Sequence, residues 1–213
     1  MSGNVSAKSY RINVTNPVYA LLTSDTAEEV IYGSVKALGE AMQIQLTPSV
    51  STGKLYGNGV VKEDISKLKG IAMAFDATKI PIEDRATIQG HEFKNGIMVE
   101  KDGDEAPYLA FGYKVEGTNK KDEYVWLLKG RAAPMNETHK QSEDNITFST
   151  DTVNINFIPR EKDKEIRYYA DSANATFTTE QANAWFKTGP VTYPAPAATE
   201  YKGRHSRLPF LGD

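Results

Sequence analysis

A two-residue hydrophobic alternation recurs along this chain and constrains its fold more than any other feature. The alternating segments are Met42–Leu46, Ile71–Phe75 and Leu109–Val115. Successive side chains of a β-strand point to opposite faces, so each segment is predicted to be a strand with one buried face. Several such strands in one chain indicate a mainly β fold.

Two further strands are predicted later in the chain. Val153–Phe157 alternates and stops before Pro159, which cannot donate a hydrogen bond to a neighbouring strand. Ile166–Ala170 is predicted to be a short return strand. The charged run Arg160–Lys164 between them is predicted to be a solvated turn, because burying charged groups is costly.

The segment Tyr124–Lys129 differs from the others because it is apolar on both faces. A strand of this kind is covered on both sides. We expect the core to cover one face, and either a helix or a neighbouring subunit to cover the other.

A first helix is predicted over Ile82–Ile88. Pro81 suits a helix start, Glu83 and Asp84 suit the positive end of the helix dipole, and Gly90 is a plausible stop. The fold expected from these elements is mainly β, a sandwich or partial barrel, with this flanking α-helix.

A second, short C-terminal helix is predicted to begin at Thr178. Thr178 and Gln181 have the spacing of a capping box, in which each side chain accepts a hydrogen bond from the other residue's backbone. Trp185 and Phe186 follow before Gly189, and we expect both aromatic rings to fill the core.

Residues 48–66 mix glycine and serine with apolar side chains, and Asn58-Gly59 is a favoured hairpin-turn pair. Two interpretations stay open: a plain surface hairpin, or a long projecting loop that contacts another copy of the chain. On the second interpretation the candidate interface residues are Val50, Leu55, Tyr56, Asn58 and Val60.

The chain is predicted to form one domain over residues 1–189, with an N-terminal arm at about 1–15. Residues 190–213 contain scattered prolines without periodicity, which predicts an extended C-terminal arm. This arm is either disordered or ordered against a neighbour. Phe210 and Leu211 favour docking and complete the set of candidate interface residues.

The charge pattern and the absence of cysteine exclude several functions. The net charge is −3, and 25 Lys and Arg are interspersed with 28 Asp and Glu, so no basic stripe is available to bind nucleic acid tightly. The absence of cysteine excludes disulfides, thiolate zinc sites and cysteine nucleophiles. Residues 1–15 contain no apolar run, so neither a signal peptide nor membrane insertion is expected.

No group of residues forms a convincing catalytic or metal-binding motif. His91-Glu92 begins like a zinc-protease signature, but Asn95 stands where the second histidine ligand belongs. Lys101–Glu105 lacks the spacing of a calcium loop and is predicted to be a solvated turn. Two acidic pairs are Asp122 with Glu123 and Glu143 with Asp144. Such a pair could act in a glycosidase only if the fold held its two carboxyl groups about 5–10 Å apart. We expect no enzyme activity and no cofactor.

A resemblance to a known family emerges when short segments are considered in order. They are Tyr19–Thr23, Glu28–Gly33, Leu38-Gly39, Ala110–Tyr113, Tyr124–Gly130, Ala133-Pro134, Pro159-Arg160 and Ala184–Phe186. This order, over roughly residues 16–189, resembles the major tail proteins of long-tailed bacteriophages, of the phi13 or TP901-1 type. Tyr56–Gly59 departs from the element that relatives carry there, and the proline-rich tail has no counterpart.

The resemblance implies a tail-tube β fold whose copies form hexameric rings that stack into a tube. Double-stranded DNA would pass through the lumen without specific binding during ejection into the host. The implied partners are further copies of the chain and other tail proteins: the tape measure, the tail terminator and the distal tail protein. The implied location is the virion tail, after synthesis in the bacterial cytoplasm.

Three other functions remain open at this point. A tube protein of a contractile tail or a type VI secretion system would differ mainly in having a sheath outside. A carbohydrate-binding β-sandwich would use exposed aromatic rings as stacking platforms, and the candidates are Tyr56, Tyr108, Tyr168 and Tyr193. A hydrolase would show a cleft with acidic residues of shifted pKa.

Overall fold

The chain folds mainly into antiparallel β-strands with two short helices, as the sequence predicted. The computed structural model describes residues 9–135, 137, 141 and 149–190. The strands are β1 (Arg11–Asp25), β2 (Val30–Tyr32), β3 (Lys36–Ala37), β4 (Ala41–Gly57), β5 (Val60–Ala77), β6 (Glu92–Lys94), β7 (Ile97–Val99), β8 (Tyr108–Gly117), β9 (Glu123–Ala132), β10 (Asp151–Phe157) and β11 (Arg167–Asp171). The helices are α1 (Ile82–Gln89) and α2 (Thr179–Ala184).

Nine of these strands form one large sheet. Its order is β2-β1-β8-β9-β10-β5-β4, with β3 also paired to β1 and β11 to β9. Strands β6 and β7 form a separate hairpin after α1. All pairings are antiparallel.

The large sheet curls around one apolar core. Phe75 from β5, Phe111 from β8 and Phe157 from β10 are buried in the same cluster. Val14 lies on β1, towards one end of the strand order, and Ile44 lies on β4 at the other end. Both side chains pack against that cluster. The sheet therefore forms a partial barrel, which confirms the expected fold class.

Met42 is an exception to the predicted alternation. The strand β4 forms as expected, but the Met42 side chain is 55% exposed, while Ala41 and Ile44 pack on the core. The pairing with β5 shifts register between Ala41 and Gln43. A bulge of this kind inserts one extra residue into a strand and changes which side chains face inward.

The strand β9 is buried on both faces, as its sequence predicted. Leu127 lies in the main core, while Trp126 and Leu128 form a second cluster on the outer face. Trp126 donates from Nε1 to the backbone oxygen of Trp185, 2.9 Å away. At Gly112 a Cβ would lie 2.8 Å from the Trp126 ring, so only glycine allows this close packing. The chain itself therefore covers the face that could have required a neighbouring subunit.

The helix α2 begins with the capping box that the sequence predicted. The Gln181 backbone N–H donates to Thr178 Oγ1, and the Thr178 backbone N–H donates to Gln181 Oε1. Trp185 and Phe186, expected in the core, instead pack in the second cluster outside the barrel. The difference arises because α2 lies over the outer face of β9.

The structure decides between the two interpretations of residues 48–66 and corrects part of the predicted N-terminal arm. Residues 48–66 form paired strand on either side of a two-residue turn rather than a loop. Asn58 and Gly59 have φ values of 52° and 77°, as a type I′ hairpin turn requires. Residues 11–15 of the expected N-terminal arm belong to β1 and pair with β8. The C-terminal arm from residue 191 onward lies outside the described residues.

The predicted solvated turn at Arg160–Lys164 is wrong for its first residue. Arg160 is fully buried and donates to the Asp163 carboxylate, the Glu165 carboxylate and the Tyr168 hydroxyl. These acceptors replace the hydrogen bonds to water that the guanidinium loses. Burial is possible because the acidic side chains of the same turn fold back over the guanidinium.

A second buried ion pair connects this turn to β1. Lys129 Nζ lies 2.7 Å from Asp25 Oδ2, and the two side chains are 9% and 5% exposed. Asp25 also accepts a hydrogen bond from the Glu161 backbone N–H. Burial opposes ionisation of Asp25, but the hydrogen bonds from Lys129 and the Glu161 backbone outweigh it, so the pKa of Asp25 is lowered.

We predict that Asp25→Asn lowers the free energy of unfolding by about 3 kcal/mol at pH 7, because it leaves the Lys129 charge buried without its partner. A lowered pKa in the folded state means that the Asp25 contribution is complete above the unfolded pKa of about 3.9 and is lost as the pH falls below it. The difference between wild type and variant should therefore shrink below about pH 4. Urea unfolding between pH 7 and 3 measures it, and a constant difference would contradict this.

Gly90 gives a test of how α1 is attached to the barrel. It has φ of 77°, and a Cβ there would lie 2.1 Å from the Glu105 carbonyl oxygen. We predict that Gly90→Ala costs about 3 kcal/mol of stability, because it adds a backbone clash to the strain of a positive φ. The control is Gly96→Ala, where φ is 80° and no atom lies within 4 Å; it should cost only about 1 kcal/mol. Equal losses in thermal unfolding would show that the contact with Glu105 is unimportant.

Candidate assembly surface

The candidate surface begins with the part of the β4–β5 hairpin that extends beyond the barrel. Strand β10 pairs with β5 only over Ile71–Ala77, whereas β4 pairs with β5 along its whole length. Residues 50–68, called the hairpin arm below, therefore have no third strand beside them among the described residues. At about 3.3 Å per residue, the arm projects about 25 Å.

The arm exposes a set of apolar side chains. They are Val50, Leu55, Tyr56, Val60, Val61, Ile65 and Leu68, each between 45% and 63% exposed. The sequence predicted Val50, Leu55, Tyr56 and Val60 as interface candidates, with Asn58 at the turn, and the fold places all five on the arm. It did not include Val61, Ile65 and Leu68, which follow no two-residue period, and Leu68 lies beyond the predicted segment 48–66.

The arm contains little that could stabilise it in isolation. Its apolar contacts across the strands include Val50 opposite Leu68 and Tyr56 opposite Val61. One ion pair joins Lys54 to Asp64 at 3.6 Å, with both side chains more than half exposed. A two-stranded hairpin of this kind is marginally stable in water, and an exposed ion pair adds little. We therefore expect the apolar side chains of the arm to be covered by another protein surface.

A second open surface lies at the seam of the partial barrel. Within the described residues, β5 is the only strand that pairs with β4, so the other edge of β4 is free. Residues 11–15 of β1 pair with β8 on one side, while β3 and β2 pair only with later residues of β1. A groove of about 550 Å³ between these two edges is lined by Ile12, Val14, Met42, Ile44, Tyr113 and Val115, among others.

Charged side chains at the rim of this groove form ion pairs and hydrogen bonds with one another. Arg11 donates to Glu123 at 2.7 Å and to the Tyr169 hydroxyl at 2.8 Å. Burial opposes ionisation of Glu123, but its hydrogen bonds from Arg11 and Tyr169 lower its pKa overall. Asp122, the other member of this acidic pair, lies 3.5 Å from Lys114 Nζ. Both carboxylates are thus engaged in structural contacts.

The other candidate groups do not form a common site. Tyr108 stacks under Lys129 and Arg131, and Tyr168 binds Arg160, while Tyr56 lies on the arm. His91 contacts Asp104 at 2.8 Å, and the described residues contain no group of three or more His, Cys, Asp or Glu placed to hold a metal ion. Tyr193, His139, His205, Glu143, Asp144, Phe210 and Leu211 lie outside the described residues.

Comparison with known proteins adds no family assignment. The sequence matches no protein-family model, and no curated protein matches it significantly. In the described part of the chain no helix is long and apolar enough to cross a membrane. The interpretation of the surface therefore depends on its geometry and on the resemblance in the sequence.

Proposed function

We propose that this chain is a structural, non-catalytic protein that assembles with copies of itself into the tail tube of a bacteriophage. The observation that carries the proposal is the hairpin arm, whose outer strand edges pair with no other described strand and which exposes seven large apolar side chains. Free strand edges can recruit strands of other chains, and here they lie beside exposed apolar side chains. An arm of this kind fits a subunit whose neighbours cover it.

The seam supports a specific way of joining neighbours. Counting the antiparallel pairings from β1 through β8, β9, β10 and β5 to β4, the strands β1 and β4 run in opposite directions. If β4 of one copy paired with β1 of the next, the antiparallel alternation would continue from copy to copy. Such a contact uses different surfaces on the two copies, and it closes into a ring when the rotation permits.

The number of copies and the role of the tube come from the resemblance. Tail-tube subunits of the family form hexameric rings whose sheets join around one lumen, and the rings stack. The net charge of −3 is compatible with this role, because a lumen without clustered Lys and Arg would not hold DNA phosphates. The proposal includes the tape measure, tail terminator and distal tail proteins as partners, and the virion tail as the location.

The proposal predicts concentration-dependent assembly without any ligand. Negative-stain electron microscopy of the purified full chain across a concentration series, with sizing chromatography beside it, should reveal rings or hollow tubes. Full chain that stays monomeric at every concentration, including after addition of the tail proteins that would initiate a tube, would refute it.

Charged substitutions on the hairpin arm test whether it forms an interface between copies. We predict that Leu55→Glu combined with Val60→Glu abolishes assembly, because both side chains are at least 60% exposed and a contact that buries them would bury unpaired carboxylates. The thermal midpoint of the monomer should change little, since neither side chain contributes to the core. Ile31→Glu, on an exposed position of β2, is the control and should assemble normally. Normal assembly of the double variant would exclude the arm as an interface.

A further inference from the structure

One broad face of the barrel sheet is largely exposed among the described residues. It lies on the outside of β4, β5 and β10, where the pairing register places nine side chains in three rows. Alternate side chains of the same strands, such as Ile44, Phe75 and Ile155, point into the core. The nine residues, called the β4–β5–β10 face below, are Gln43, Gln45 and Thr47, Ala72, Ala74 and Asp76, and Thr152, Asn154 and Asn156.

This part of the barrel carries no positive charge. Residues 41–48, 70–77 and 151–157, which form the barrel segments of the three strands, contain no Lys or Arg. Their only charged residues are Asp76 and Asp151. Asp151 accepts a hydrogen bond from the Ile80 backbone N–H at 2.8 Å, and Asp76 accepts one from the Thr152 hydroxyl at 2.6 Å. The exposed side chains of the face are therefore amides, a hydroxyl and an alanine methyl.

The cations closest to this face lie at its borders. Arg131 is on the adjoining strand β9 and pairs with Glu105 at 3.6 Å. Lys69 and Lys79 lie beyond the two ends of the barrel segment of β5. The middle of the face, at Asn154, is thus a neutral polar surface.

The opposite wall of the barrel has a different surface. Phe75 of β5 and Phe111 of β8 contact each other through the core, with ring centroids 5.2 Å apart, although β9 and β10 separate the two strands in the sheet. Strands β5 and β8 therefore lie on opposite walls. The wall of β8 and β9 is covered on its outside by Trp185 and the aromatic cluster that follows α2. Strands β1, β8, β9 and β11 contain the cations Arg11, Lys114, Lys129, Arg131 and Arg167.

A neutral face of short side chains suits contact with moving DNA. Duplex DNA carries one negative charge per about 1.7 Å, and every Lys or Arg that contacts a phosphate adds to its affinity. Amides and hydroxyls interact with water and with phosphate alike, and the Asp76 carboxylate repels phosphate. An exposed face on the outside of an assembly gains solubility from charged side chains, so the absence of Lys and Arg favours the inside.

The position of the face beside the seam allows it to continue from copy to copy. Strand β4 is the last strand of the sheet order, and its free edge is the one that would pair with β1 of the next copy. On β1, Val14 packs against the core, so its neighbours Asn13 and Thr15 point to the outside. The joined sheet would therefore extend the face by two more uncharged polar residues.

We propose that the β4–β5–β10 face lines the lumen of the tube and that α2, on the opposite wall, lies on the tube exterior. This inference rests on the proposed function and adds to it which wall of the subunit faces the DNA. Six copies joined through β4 and β1 would then surround the duplex with amide and hydroxyl groups and with no cation at the centre of each face.

Size-selective labelling of cysteine variants tests the orientation. The chain has no cysteine, so Asn154→Cys places a single thiol at the middle of the face. Asn183→Cys is the matched control, because it replaces an exposed asparagine of α2 in the same way. Assembled tubes are treated with a small maleimide dye, or with a maleimide attached to a globular protein wider than the lumen measured in the micrographs. Asn154→Cys tubes should react with the dye and lose their reaction with the protein-linked reagent, whereas Asn183→Cys tubes should react with both.

The outcomes separate this inference from the proposed function. Asn154→Cys tubes that react with both reagents would place the face outside, and tubes that react with neither would show that it is buried between copies. Either result would overturn the lumen assignment and leave the tube function standing. Gln45→Cys, on the same face, provides the same test if Asn154→Cys does not assemble. A wild-type chain that never assembles would instead refute the proposed function on which the inference rests.

Discussion

The fold depends on the burial of β9 on both faces and along both edges. Leu127 points into the main core, while Trp126 and Leu128 point into the cluster under Trp185. One edge pairs with β8, and the other edge is divided between β10 and β11. A strand enclosed in this way connects the barrel, its outer layer and the turn at Arg160. Loss of its packing would disturb all three.

The barrel and the hairpin arm have very different sources of stability. The barrel is stabilised by contacts within the chain. It has a continuous apolar core, and its buried cations Arg160 and Lys129 have acidic partners. The arm continues two strands of the same sheet into solvent, without a third strand or a covering helix among the described residues. This contrast within one sheet is the main physical reason to regard the chain as a subunit rather than as an independent monomer.

Much of the local structure could be predicted because it depends on neighbours in the sequence. The capping box at Thr178, the turn at Asn58-Gly59 and the end of α1 at Gly90 all form as predicted, since each is fixed by the conformational preferences of a few adjacent residues. Errors occurred where distant residues decide. Met42 faces outward because the pairing with β5 shifts register, and the buried Arg160 guanidinium also donates to the hydroxyl of Tyr32, which lies 128 residues earlier in the chain.

The sequence by itself determined strands β4, β5 and β8 to β11, both helices, the hairpin turn and most of the exposed apolar residues of the arm, because alternation and turn chemistry act over short distances. It did not predict β1, β2, β3, β6 or β7. Only the tertiary structure decided that the chain covers the outer face of β9 itself, and that among the described residues β1 and β4 leave strand edges unpaired at one seam. These features depend on strand order and register, which are set by contacts between residues far apart in the chain.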